Sequence, residues 1–127
     1  MKKELSQVNT FNVIFEIGEA PTEPTLIQRK DCVLRHRLMY EENEEYLDAC
    51  TNRDLVEVAD ALGDQLYILC GTILAHGMQH VIEDVFKEIH TSNMSKLDKE
   101  GNPIFREDGK VLKGENYFKP DIKNIIK

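Results

Sequence analysis

Apolar positions in the first fifteen residues, Leu5, Val8, Phe11 and Phe15, recur at three- and four-residue intervals, with Asn12 on the same stripe. This spacing predicts an amphipathic helix, and Gly18, Pro21 and Pro24 predict where it stops. From about Thr25 or Lys30 to Cys50 the chain is rich in helix formers and, beyond the prolines, free of Gly and Pro, which predicts a second helix closed by the turn TNRD. Thr51 or Asn52 is placed to cap the next helix, with Asp54 in its first turn. That third helix is predicted from about Arg53 to His76. Its second half (Leu66, Tyr67, Ile68, Leu69, Cys70, Ile73, Leu74) is apolar nearly all round, the pattern of a buried central helix. Gly77 breaks it, and a fourth helix over roughly Gln79 to Met94 carries Val81, Ile82, Val85, Phe86 and Ile89 on one face. Beyond it, Gly101, Pro103, Gly109, Gly114 and Pro120 exclude a long helix, while IFREDGKVLK suits a hairpin turning at Asp108-Gly109. The expected fold is all-α: an antiparallel four-helix bundle over residues 1–96 with an irregular or short β-hairpin tail over 97–127. A chain of 127 residues is expected to make one domain.

The same periodicity singles out carboxylates. On the second helix Leu34, Leu38, Glu42, Glu45 and Ala49 fall within an arc of about 80°, so two glutamates interrupt an apolar stripe. Glu41, Glu44 and Asp48 lie at or beyond its edge, where water is the natural partner. On the third helix Glu57, Asp60 and Asp64 share an arc of about 60°. A short turn between the two helices favours antiparallel packing, which lets these acids face one another. Carboxylates so enclosed are costly unless protonated or neutralised, and a hard oxygen-seeking cation, Mg²⁺ or Mn²⁺, neutralises them. The competing reading is a partly hydrated polar seam, since acidic helix faces are common.

Charge sharpens the picture. Residues 41–64 hold nine acids against one base, Arg53, and the remainder of the chain sums to +1 within a total of -7. The acidity is local, and it argues against a partner held by a nucleic-acid backbone. Three separated cysteines without a CxxC motif indicate neither a disulfide framework nor a thiolate metal site, and suit a reduced, cytoplasmic setting. The first residues lack the apolar core of a signal peptide, and no uninterrupted run approaches the roughly 18 apolar residues of a spanning helix. A ferritin-like di-iron bundle needs Glu-x-x-His pairs. The residues three before His36, His76, His80 and His90 are Val33, Ile73, Gly77 and Lys87, so that reading fails. An EF-hand pattern is also missing from the tail.

EENEEYLDA, followed by an acidic segment ending in ALGDQLYIL, resembles the EExxE...ExxD signature of the all-α nucleoside triphosphate pyrophosphohydrolases. That group includes MazG, the phosphoribosyl-ATP pyrophosphohydrolases and dimeric dUTPases. IHTSNMSKL and DGKVLKGENYFKPD are similar to the ends of a MazG-like subgroup. The resemblance implies Mg²⁺-dependent (or Mn²⁺-dependent) hydrolysis of a nucleoside triphosphate, or a nucleotide like it, to the monophosphate and pyrophosphate. It implies metal binding by Glu42 and Glu45, with Glu41 as the leading glutamate of the first motif. Two registers are open for the second motif. Glu57-Val-Ala-Asp60 is a literal ExxD, whereas the DQLYIL context favours Asp64 and puts Ala61 where the family has glutamate. Asp64 and Asp60 therefore rank above Glu57. Glu41 or Glu45 is the candidate to activate water. Asn93 and Lys96, with Lys110, Lys113 and Tyr117 of the tail, are the implied substrate contacts, Tyr117 and Phe118 being equally candidates to anchor the tail. The Ala61 departure keeps open a rival reading, a catalytically inactive interaction module on the same fold. The apolar third helix and the resemblance both point to a homodimer or homotetramer.

Overall fold

The computed structural model describes residues 1–127, and its regular elements are all helical. Four main helices, α1 (Lys2–Ile14), α2 (Arg29–Thr51), α3 (Leu55–Ala75) and α4 (Ile82–Met94), are followed by a single turn, α5 (Lys123–Ile126). The chain divides into two compact units, Met1–His80 and Val81–Lys127.

In the first unit α2 and α3 form an antiparallel pair and α1 packs on α3. Ties between α2 and α3 show the direction, because partners on α3 fall in number as those on α2 rise. Arg35 Nε donates to Thr72 Oγ1 (3.0 Å) and its Nη2 to the Ile68 carbonyl (2.8 Å), while Gln65 Nε2 donates to Asn43 Oδ1 (3.0 Å). The buried residues are few: Leu5 and Val8 of α1, Ala49 of α2, Ala61, Cys70, Gly71, Ile73 and Leu74 of α3, and Gly77 just beyond it. Small residues dominate where α2 meets α3, which lets the two backbones approach. All three cysteines are free.

Helix ends follow from local chemistry. The cap of α3 is Asp54, whose carboxylate accepts the Glu57 backbone N–H (3.1 Å), so this helix starts two residues later than expected and Thr51 and Asn52 finish α2 instead. Three helices close with a left-handed residue and the same pair of backbone bonds: Glu16 after α1, Arg53 after α2 and Gly77 after α3. Only the third is glycine, so the first helix stops before Gly18. Gly77 meets a second demand, because a Cβ there would lie 2.2 Å from the Glu23 carbonyl oxygen. The connection from α1 to α2 is strapped to this corner: Thr25 N donates to the His76 carbonyl, His76 Nδ1 to the Thr25 carbonyl (both 2.9 Å), and Gln79 Nε2 to the Pro21 carbonyl (2.8 Å).

In the second unit α4 begins at Ile82 rather than near Gln79. Buried Ser92 donates to the Phe118 carbonyl (2.8 Å) and Ser95 Oγ accepts the Phe118 N–H (3.2 Å), which ties the tail to α4. Gly114 packs directly on the Lys96–Leu97 backbone, its N–H donating to the Lys96 carbonyl (2.8 Å). Of the two expected forms of the tail, irregular or short β-hairpin, the hairpin does not form and the tail is irregular. Asp108-Gly109 does turn the chain, but only one antiparallel bridge, Phe105 with Val111, follows. Asp108 explains this in part: its carboxylate is engaged by the Arg106 guanidinium and the Lys110 N–H, giving the turn local partners in place of a longer ladder.

Over 18 residues α3 reaches a mean hydropathy of 1.3, long and apolar enough to cross a membrane by length and composition. The Ile, Leu, Val, Cys and Ala residues of α3 raise this average although polar residues interrupt the apolar run. A core helix of a soluble protein passes the same test, and α3 bears Asp60 and Asp64.

Candidate active site

The site is built on the antiparallel pair. Glu42 and Glu45 are three residues apart on α2 and therefore share a face, and Asp64 sits opposite on α3. Each offers a carboxylate oxygen, and these three atoms lie within 4.8 Å of one another. Glu42 and Asp64 are half-buried, whereas Glu45 is exposed. The Asn43–Gln65 hydrogen bond joins the same two helices beside this cluster.

The electrostatics are unfavourable as they stand. Glu42 Oε2 is closed off from water and has no hydrogen-bond partner. Burial pushes the Glu42 carboxyl up to about 7, and a side-chain hydrogen bond with Glu45, then the charges of Glu45, Asp64 and Asp60, push it in the same direction. No lysine, arginine or histidine forms an ion pair with any of the three. An orphaned carboxylate oxygen among like charges fits a hard divalent cation, which accepts several oxygen ligands and cancels the repulsion.

The other acids named from sequence take different places. Asp60 is near enough to add to the Glu42 shift but stands outside the group of three. With Glu57 it lines an adjoining cleft of about 320 Å³, together with Glu45, Asp48, Asp54 and Ala61. Glu45 thus borders both the cluster and the cleft. Buried Ala61 lies on the cleft wall. Glu41 is exposed and outside the cluster. Asn93, Lys96, Lys110, Lys113 and Tyr117 belong to the second unit. There Lys113 Nζ stands 4.7 Å from the Tyr117 ring centroid, a cation–π contact, and the Lys110 N–H is held by Asp108. Asn93 is exposed on α4.

Arg35 was not singled out by the sequence reading. Half-buried and without an acidic partner, it lies two turns before Glu42 on the same side of α2 and braces α3 through Thr72 and Ile68. Gly71 makes room for it, because a Cβ there would come 2.5 Å from Arg35 Nη2. The available signal was spacing: Arg35, Glu42 and Ala49 recur every seven residues.

No curated protein matches the chain. A family model described as phosphoribosyl-ATP pyrophosphohydrolase matches residues 8–93, which take in most of α1, all of α2 and α3, and α4 to its penultimate residue. That span is about two thirds of the chain and contains every carboxylate of the cluster and the cleft. The chain therefore belongs to the phosphoribosyl-ATP pyrophosphohydrolase family, hydrolases of a phosphoanhydride bond within the all-α nucleoside triphosphate pyrophosphohydrolase superfamily.

Proposed function

We propose that the protein hydrolyses a nucleoside triphosphate, or a nucleotide like it, to the monophosphate and pyrophosphate, in house-cleaning or control of a nucleotide pool. The observation that carries this reading is the convergence of Glu42, Glu45 and Asp64 around an unpartnered Glu42 oxygen, in a chain of this family. Phosphoribosyl-ATP, the substrate in the family's name, heads the candidates, with (d)NTPs beside it.

Glu42, Glu45 and Asp64 would hold Mg²⁺ or Mn²⁺, with Asp60 at their flank and Glu57 of lower rank. When bound, the cation supplies positive charge that offsets the triphosphate and the leaving pyrophosphate. The chain's own part is to hold carboxylates in place and accept a proton. Water oxygen bonds to the α-phosphorus, the bond from that phosphorus to the α–β bridging oxygen breaks, and pyrophosphate departs with its oxygen. The proton from water passes to a carboxylate. Glu45 suits this role because it is exposed and borders the cleft as well as the cluster. Glu41 is the alternative from the family pattern. Resemblance alone, and no geometry, supports assigning Asn93, Lys96, Lys110, Lys113 and Tyr117 to substrate. We also read the chain as one functional domain, because the family match crosses from the first unit into the second. A cytoplasmic location and a homodimer or homotetramer complete the proposal.

The test is pyrophosphate release from phosphoribosyl-ATP and a (d)NTP panel with Mg²⁺ or Mn²⁺. Release from at least one nucleotide, lost in folded Glu42→Ala and Asp64→Ala variants, is the expected result. No turnover of any nucleotide would favour the inactive-module reading.

A further inference from the structure

Arg35 is a charged residue of the first unit that the proposed hydrolysis does not use. It is half-buried on α2, and no acid forms an ion pair with it. Burial lowers its pKa from the ordinary value, the mark of a cation that has given up water without gaining a counter-charge. Such a group is costly to enclose, and an apolar side chain of similar length packs two helices at lower cost. Its hydrogen bonds do not account for it either. Nε donates to Thr72 Oγ1 and Nη2 to the Ile68 carbonyl, yet the Thr72 hydroxyl itself donates to that same carbonyl (3.1 Å), so neither group would be left without a partner if Arg35 were absent. What the guanidinium supplies is direction. Its planar fork meets acceptors on successive turns of α3, and sliding α2 along α3 by a turn breaks both bonds. This contact shares the register of the carboxylates. Arg35 lies against Gly71 as Glu42 meets Asp64. Arg35 and Glu42 are seven residues apart on α2, and Asp64 and Gly71 are seven apart on α3, so one antiparallel register sets both contacts, about 10 Å from each other along the pair. The tie nearer the carboxylates, Asn43 to Gln65, is exposed, and water competes for it.

We propose that Arg35 is a positioning residue for the candidate metal site: its fork on Ile68 and Thr72, with Gly71 making room, fixes the register in which Glu42 and Glu45 face Asp64 against the repulsion of their charges. This rests on the reading of those three carboxylates as cation ligands. The effect passes through helix position and not through charge, since Arg35 stands two turns from Glu42.

The experiment measures Mn²⁺ binding to the full chain by electron paramagnetic resonance, without nucleotide, beside thermal melts in chelator. No turnover is read, so failure here is distinguishable from failure of the proposed hydrolysis. Wild type is expected to bind Mn²⁺, and Glu42→Ala to lose that binding. Arg35→Met keeps an apolar chain but not the fork, and should bind about tenfold or more weakly, as when other residues that orient metal ligands are lost. Its melting temperature in chelator should stay within about 5 °C of wild type, which a merely structural role would not allow. Arg35→Lys, which keeps the charge without the fork, should lose as much affinity. Gly71→Ala displaces the guanidinium from the other helix; it should weaken binding in wild type and add nothing further in the Arg35→Met background. The proposal is overturned if Arg35→Met binds Mn²⁺ within about twofold of wild type, if Arg35→Lys retains full affinity, or if Glu42→Ala binds as wild type does.

Discussion

Glu42 sits half-buried among like charges, and its behaviour yields two predictions. Replacing it, or Asp64, by alanine should reduce pyrophosphate release on the order of 100-fold or more, measured as kcat/KM on folded protein. The second concerns pH. With its carboxyl pushed from the ordinary 4.5 up to about 7, the folded chain binds more protons than the unfolded chain between those values. Stability of the metal-free protein is then greatest below about pH 4.5 so far as this group is concerned, and is lost as pH rises through about 7. Thermal melts in chelator should show Tm falling over that window, Mg²⁺ or Mn²⁺ should restore it at pH 8, and Glu42→Gln should flatten the dependence while abolishing activity. A Tm that stays level in chelator across the window would refute this account. At this scale Glu42 and Glu45 were legible in the sequence because they interrupt a stripe of Leu34, Leu38 and Ala49. Helical phase alone did not separate Glu57, Asp60 and Asp64, since all three share one arc; the DQLYIL context ranked Asp64 and Asp60 first, and the packing of α3 on α2 places Asp64 beside the pair.

The α2–α3 pair depends on two glycine-sensitive positions that behave in opposite ways. Gly71→Ala places a methyl group against the Arg35 guanidinium and forces it off Thr72 and Ile68. Urea denaturation should show a loss of about 1–3 kcal/mol. Arg53 ends α2 at a φ of 56°, a left-handed conformation that an L side chain resists. Arg53→Gly should therefore stabilise the protein by up to about 1 kcal/mol in the same assay. Helix periodicity was sufficient to find four helices, but not their ends. Glu16 and Arg53 close helices in a conformation usually supplied by glycine, and Asp54 rather than Thr51 or Asn52 caps α3, because the cap must reach the Glu57 N–H.

The chain leaves much apolar surface open. Leu55 and Val56 at the start of α3 are 80% and 76% exposed, and Leu62, Leu66 and Leu69 remain exposed further along the same helix. His36, Met39, Tyr40, Leu66 and Leu69 line a shallow groove between α2 and α3. Such a surface suits self-association, so sedimentation should report a dimer or tetramer, and Leu66→Glu with Leu69→Glu should shift it towards monomer. A wild-type monomer at micromolar concentration would overturn the oligomer reading.

Helical class, the acidic stripe and the resemblance to a pyrophosphohydrolase family follow from residue order alone, because helix phase and motif spacing are local properties of the chain. Tertiary structure decided which acids meet, which oxygen of Glu42 is left unpartnered, and that Arg35 reaches across to Ile68 and Thr72. It also reduced the expected hairpin to one bridge. These outcomes depend on contacts between segments distant in sequence, whose geometry is set by packing and by competition for hydrogen-bond partners, and no local pattern encodes that.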